Sequence, residues 1–416
     1  MSLNILLKGQ LRYLNQFYEV TAISGAGKDL EEVQEREGVR THKLEMEREI
    51  SPFKDLIALI KLYRYFKKEK PEIVHSITPK AGLLSMIAAR LAGVPVRMHT
   101  FTGLIFPYKK GILKTILIQM DRLLASSATH IYPEGQGVKK DLEQYHITRK
   151  PLKILANGNV NGIDPTYFNP TQISATEQQN LRLQLGLSDQ DFVFIFVGRL
   201  VRDKGINELV TAFKNLTSVT PDSTPSTPHL APNTPHPTPR TKHPSSIIHH
   251  PSTDIGNPAP RTPRLLLVGP IEQELDPLKS ETLKEIETNP HIISVGFQAE
   301  VRPYFAISNA LVFPSYREGF PNVVLQSLAM ELPAIVTDIN GCNEIITHHQ
   351  NGLIVPVKDE QALCHAIEQL LTDTQLYNHL KSKTRSSILP YQQKEVWEAL
   401  LQEYELVSSK KEPGKK

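Results

Sequence analysis

The sequence predicts an α/β protein built from two doubly wound parallel units, on three observations. Short apolar runs alternate with amphipathic segments of helical period, the pattern of parallel α/β layers. The chain has 416 residues, more than one ordinary core organises at ~100–200 residues per domain. The alternation also occurs twice, on either side of a polar junction near residues 165–190.

In the first half the predicted strands are 18–23, 72–76, 96–101, 130–132 and 152–155. Between the first two runs a helix with Leu56, Ile57, Leu59, Ile60, Tyr63 and Phe66 at helical spacing. A second helix covers 81–91 and closes at Gly93 before Pro95, a stop signal. In the second half the predicted strands are 192–197, 264–268, 292–295, 310–313, 334–337 and 353–355. The helix after the first of these carries Ile206, Leu209, Val210, Phe213 and Leu216 on one face. The expected units are residues 1–168 and 169–390, with 391–416 a C-terminal helix crossing back to the first unit and then a polar tail.

One stretch fits neither unit. Residues 220–263 hold 12 of the 31 prolines and five histidines among Thr and Ser. Proline at that density removes backbone donors, and few apolar groups offset the ordering entropy. The stretch is expected to be a disordered insertion. Its histidines have no ligand spacing, so composition explains them better than a metal.

Composition removes several classes. No apolar run approaches the ~18 residues of a spanning helix, and the opening residues lack a signal-peptide pattern. Two cysteines, Cys342 and Cys364, exclude a disulfide scaffold and a four-cysteine zinc site and suggest a reducing compartment. Residues 1–168 carry 25 Lys/Arg against 17 Asp/Glu, and the excess concentrates in 61–122, with 12 against 3. Such a half suits phosphate or an anionic membrane surface, or is simply a solvated face. Nucleic acid is not expected, because no basic run is interleaved with stacking aromatics.

In open parallel sheets ligands bind where strand C-termini meet helix N-termini. Three loops of the second half have the chemistry for it. FIFVGRLVRDKGINEL puts Gly198, Arg199, Lys204 and Gly205 between a strand and a helix, cations that suit a diphosphate or are merely exposed on a turn. FPSYREGFPNVVLQSLAM brings Arg317, Glu318 and Gly319 to a helix that opens near Pro321 and Asn322. There free amides can hold phosphate while the carboxylate accepts from sugar hydroxyls; alternatively Glu318 complements the helix dipole. TDINGCNEIITHHQNGLIVPVKD turns at Gly341 and Asn343 before Glu344.

The ordered set GRLVRDKG, PSYREGFPNVVLQSLAM, TDINGCNEI and NGLIVPVKD resembles the retaining glycosyltransferases of family 4, which have two Rossmann-like domains facing across a cleft, the GT-B fold. VHSITPKAGLLSMIAARLAGVPVRMHTFTG resembles the subset that builds bacterial capsule, O-antigen and glycan-carrier oligosaccharides, and ANGNVNGIDPTYFNP resembles the inter-domain segment. The likeness covers roughly 3–219 and 264–405.

The resemblance implies a hexosyl transfer from a nucleotide sugar, expected to be a UDP-sugar, to a lipid-linked or polysaccharide acceptor in cell-surface glycan synthesis. Arg199 and Lys204 would neutralise the donor diphosphate. Glu318 would hold sugar hydroxyls, with Gly198, Gly319, Phe320, Pro321 and Asn322 around phosphate and sugar. Gln326 stands where the family has a second glutamate against ribose, and a neutral amide can still hydrogen-bond a diol. On the acceptor side Lys80, Thr102 and Gly103 are candidates, with His99 near the position of a family histidine. Front-face attack, with the departing phosphate helping to deprotonate the acceptor, requires no protein nucleophile and no metal. The expected place is cytoplasmic, peripheral at the inner face of the plasma membrane. A nucleotide-sugar epimerase of the same fold and an inactive, truncated nucleotide-sugar binder are the competing readings.

Two motifs mislead. Asp189 and Asp191 mimic a metal-binding pair but precede a strand, and SGAGKD at 24–29 mimics a phosphate loop without its first glycine or its Ser/Thr. Both are expected to be turns. The family's first, central strand has no counterpart: SLNILLKGQ matches the loop after it, so the expectation is a start downstream of the true one, or a degraded copy.

Overall fold

The computed structural model of the chain describes residues 2–46, 51–218, 261–274 and 276–409. Its main sheet has six parallel strands in the order β11-β10-β9-β6-β7-β8. These are β6 (Asp191–Val197), β7 (Thr262–Val268), β8 (Ile292–Ser294), β9 (Ala310–Phe313), β10 (Ala334–Thr337) and β11 (Gly352–Val355). β6 lies between β7 and β9. Its DFVFIFV run is buried through Phe196, as expected of a strand covered on both faces. Around the sheet, α9 (Ile206–Ser218) packs on α14 (Glu360–Thr372), and α12 (Asn322–Ala329) on α15 (Thr374–Ser387).

The N-terminal half forms a three-stranded parallel sheet, β3 (Ile73–Ser76), β4 (Val96–Phe101) and β5 (His130–Pro133), with β4 in the centre. β1 (Thr21–Ser24) and β2 (Arg40–Lys43) pair separately. Among the described residues no strand joins the two sheets. Helices α4 (Pro52–Glu69), α5 (Pro79–Ala92) and α6 (Gly111–Ser127) pack in succession. The last helix, α16 (Gln393–Ser409), lies on this half. Tyr132 Oη donates to Glu403 at 2.9 Å, Tyr404 Oη meets His75 Nδ1 at 2.8 Å, and Val407 joins Val96 and Met98 in one cluster.

Several expectations are corrected. SLNILLKGQ is not a loop but α1 (Ser2–Leu6) and the approach to α2 (Gln10–Leu14). Leu3, Leu7, Leu11 and Leu14 repeat at helical spacing, and Leu7 and Leu11 pack on Ala22 and Val33. Segment 152–155 makes one bridge, Leu152 to Ile131, because Pro151 removes an amide donor beside it. The polar strand β2 has no apolar run to announce it. β7 starts at Thr262, so 261–263 belong to the second half's sheet region and not to an insertion. The rest of the proposed insertion, 220–260, and the tail from 410 lie outside the described residues. Asp189 sits in a turn, and Asp191 accepts from the Ser188 amide at 2.8 Å. SGAGKD joins β1 to α3 (Lys28–Glu37), as a strand-to-helix turn does.

Candidate active site

The loops leaving β6 and β9 meet because Gly205 permits it. A Cβ there would stand 2.1 Å from the Pro314 carbonyl oxygen, and its φ of 72° suits glycine. The turn carrying Lys204 therefore lies against the loop carrying Glu318. Lys204 Nζ pairs with Glu318 Oε1, and the Ser315 hydroxyl donates to the same carboxylate at 2.9 Å. Arg317 pairs with Asp203 at 2.8 Å, and Asp203 Oδ1 is buried with no hydrogen-bond partner among the described residues. The exposed Arg199 reaches the half-buried Glu272 at 2.9 Å.

Across from these lies the loop after β4. A Cβ on Gly319 would stand 2.5 Å from the Thr102 carbonyl oxygen, so only glycine lets the two halves approach this closely. Between them is a cavity of ≈ 250 Å³. Arg199, Asp203, Lys204, Arg317 and Glu318 line it from one half, Thr102 and Gly103 from the other. Three cations against two carboxylates, walled by protein on both sides, make a site for a polyanion whose attached neutral group needs acceptors.

The seam is sealed beside the cavity. Glu344, in α13 (Cys342–Ile345), accepts the amides of Gln136 at 2.6 Å and Gly137 at 3.0 Å, the first residues of α7 (Gln136–Gln144). Asn340 donates to Asp141 at 2.8 Å. Glu134, at the end of β5, is buried with its carboxyl against Gly319. Burial foremost, then the neighbouring Glu318 and Glu344, pushes it well above the usual carboxylate range.

The expected site residues divide. Arg199, Lys204, Glu318 and Gly319 converge with Thr102 and Gly103 on this one cavity, and Gly198 precedes Arg199 at the end of β6. The side chains of Phe320 and Asn322 turn elsewhere, leaving only their backbone amides for the expected role: Phe320 packs on Tyr391 at 5.4 Å between ring centres, and Asn322 Oδ1 accepts from Asn159 at 2.6 Å. Pro321 caps α12, and Gln326 lies one turn along it, outside the cavity walls. His99 is 1% exposed, shares a 2.8 Å hydrogen bond with Ser76 Oγ, and lies beneath Gly82 of α5, away from the cavity. Burial pushes its imidazole down to about 3. Lys80 lies in a neighbouring pocket, 2.6 Å from Asp55. Sequence reasoning assigned no role to Arg317, Asp203 or Glu134. Arg317 adjoins Glu318 in the motif, whereas Asp203 and Glu134 take their surroundings from contacts far along the chain.

Two family models match the chain: a glycosyl transferase 4-like domain over residues 10–158 and glycosyl transferases group 1 over 255–373. The capsular polysaccharide biosynthesis glycosyltransferase CapM of Staphylococcus aureus is 28% identical over 95% of this chain and 92% of its own length. The UDP-Gal:α-D-GlcNAc-diphosphoundecaprenol α-1,3-galactosyltransferase of Escherichia coli is 26% identical over 82% of this chain and 77% of its own. The crystal structure of Anabaena HepE in complex with UDP and glucose superimposes with a TM-score of 0.74 at 15% identity, over 98% of this chain and 96% of that one. The fold is therefore GT-B. The chain belongs to the glycosyltransferases of family 4 and is a transferase, which favours transfer over the epimerase and binder readings.

Proposed function

We propose that this chain is a retaining hexosyltransferase that moves a sugar from a nucleotide sugar, a UDP-sugar, to a lipid-linked glycan in the assembly of a cell-surface polysaccharide. The observation that carries the reading is the single cavity where Arg199, Lys204, Arg317 and Glu318 face Thr102 and Gly103. The Escherichia coli relative, a UDP-Gal:α-D-GlcNAc-diphosphoundecaprenol galactosyltransferase, supports the donor and acceptor classes, and the capsular relative supports the cell-surface polysaccharide.

In this reading residues 169–390 hold the donor and residues 1–168, with the C-terminal helix returning to them, hold the acceptor. Arg199, Lys204 and Arg317 neutralise the diphosphate, so no metal is required, and Glu318 accepts from the donor-sugar hydroxyls. The bond from the anomeric carbon to the phosphate oxygen breaks as the bond to the acceptor oxygen forms on the same face. The departing phosphate takes the acceptor's proton, so the protein positions reactants and stabilises charge. Gln326 meeting ribose is part of the same proposal. No described helix is long and apolar enough to cross a membrane. The basic stretch 61–122 supports cytoplasmic action at the inner face of the plasma membrane.

Labelled UDP-hexoses mixed with the chain, excess EDTA and undecaprenyl diphosphate N-acetylglucosamine test it. Label in the lipid fraction is expected, with the anomeric configuration of the donor. Labelled free sugar and no labelled lipid would overturn it.

A further inference from the structure

Glu134 follows β5 directly and lies in the seam between the halves, 7% exposed and off the lining of the cavity. Three segments converge on it. Its amide donates to the Phe101 carbonyl at 3.1 Å, beside the loop after β4, and its carbonyl accepts from the Asn159 amide at 2.8 Å. Its carboxyl accepts from the Val160 amide, in the segment that joins the two halves. The same carboxyl lies against Gly319 of the other half, where a Cβ would stand 2.6 Å from Oε2. Gly319 is also the residue that meets the Thr102 carbonyl, so Glu134 backs the contact that walls the cavity.

The charge around this carboxyl is one-sided. Glu318 acts on it from the loop after β9 and Glu344 from α13, both in the other half. Each of these already has partners: Lys204 and the Ser315 hydroxyl for Glu318, the amides of Gln136 and Gly137 for Glu344. The loop 102–106 and the joining segment 156–162 contain no charged side chain, and no described cation pairs with Glu134. A buried carboxylate facing two like charges without a counter-ion is costly, so the group keeps its proton. The neutral form lets the halves close on it, whereas the ionised form repels both acids across the seam.

We propose that Glu134 is a positioning residue: its neutral carboxyl lets the Gly319 loop close on the Thr102 loop, and loss of its proton parts the halves and stops transfer. The inference rests on the transfer proposed above, which needs donor and acceptor brought together with water excluded. It adds a reason for the reaction to fail in alkali while the donor nucleotide still binds, since Arg199, Lys204 and Glu318 all belong to one half.

Transfer rates and UDP affinities of the full chain and of Glu134→Gln from about pH 6 to 10 test it, with solution scattering of the UDP-loaded proteins over the same range. Above the native value each pH unit leaves about tenfold fewer neutral carboxyls, so the kcat of the parent should fall roughly tenfold per unit. Glu134→Gln keeps an uncharged acceptor for the Val160 amide and should lose that alkaline limb, holding its rate where the parent's falls. The parent's radius of gyration should grow along the limb and the variant's stay constant, with equal UDP affinity in the two proteins at each pH. A parent radius that stays constant across the range would overturn the proposal, as would the same alkaline limb in both proteins. A variant slowed by one factor at every pH would overturn it too, leaving Glu134 a structural contact. No transfer by the parent at any pH, with its radius still growing in alkali and the variant's constant, would strike the proposed reaction and leave the proton-dependent closure standing.

Discussion

Glu344 caps α7 from the opposite half of the molecule: its carboxylate accepts the amides of Gln136 and Gly137, the first two of that helix. A helix N-terminus has unsatisfied donors and a partial positive charge, and here a side chain distant in sequence satisfies both. The contact closes the seam directly beside the cavity. Glu344→Ala should leave UDP affinity unchanged and slow transfer about tenfold, because a charge-assisted contact of about 1.5 kcal/mol that favours closure is lost. Solution scattering should show a larger radius of gyration for the variant. An unchanged rate and radius would separate Glu344 from closure.

Glu318 tests shape against charge. Glu318→Gln keeps the acceptor carbonyl but loses the ion pair to Lys204. Transfer is expected to fall by at least tenfold while UDP itself, which has no sugar, binds no more weakly than before. Equal loss of UDP affinity and transfer would place the carboxylate's role in holding Lys204 and not the donor sugar.

Acid should destabilise the fold through two histidines, the buried His99 and the half-buried His75. Burial holds His75 at about 4 and His99 at about 3, below their ordinary 6.5. Native imidazoles thus bind fewer protons than unfolded ones, so their stability contribution is complete above pH 6.5 and is lost as pH falls through that value toward 4. The urea midpoint is expected to drop between pH 7 and 5, and less so in His75→Asn. A flat midpoint in both proteins would mean that these rings are not buried neutral.

Glu134 has the opposite sign. Its native affinity for a proton exceeds the unfolded one, so its contribution is full below about 4.5 and falls as pH rises toward its raised native value. Glu134→Gln, which keeps an acceptor for the Val160 amide, should therefore be more stable than the parent at pH 7 and equal to it at pH 4. Destabilisation at both pH values would contradict a neutral carboxyl at this seam.

How far the sequence carried the fold can be read from individual elements. The buried β6 run and the helix with Leu209 and Phe213 announce themselves, because burial on both faces leaves a nearly continuous apolar record. RTHK of β2 leaves none, since its side chains are half-buried or exposed. Arg199, Lys204 and Glu318 were legible because each sits in a short motif at a strand's C-terminal end. Glu134 was not: its burial comes from Gly319 and its field from Glu318 and Glu344, contacts across the seam that no local window contains. His99 shows the converse, a chemically suggestive residue whose surroundings are the inside of a sheet.

The central claim is that the cations around the cavity hold a donor diphosphate. Calorimetric titration of UDP into the chain and into Lys204→Ala tests it most directly. A charge-assisted contact to phosphate contributes about 1.5–3 kcal/mol, so Kd should rise roughly tenfold to a hundredfold in the variant, with Arg199→Ala close behind. If UDP binds the unmodified chain and both variants with the same affinity, the donor diphosphate lies elsewhere and the account fails.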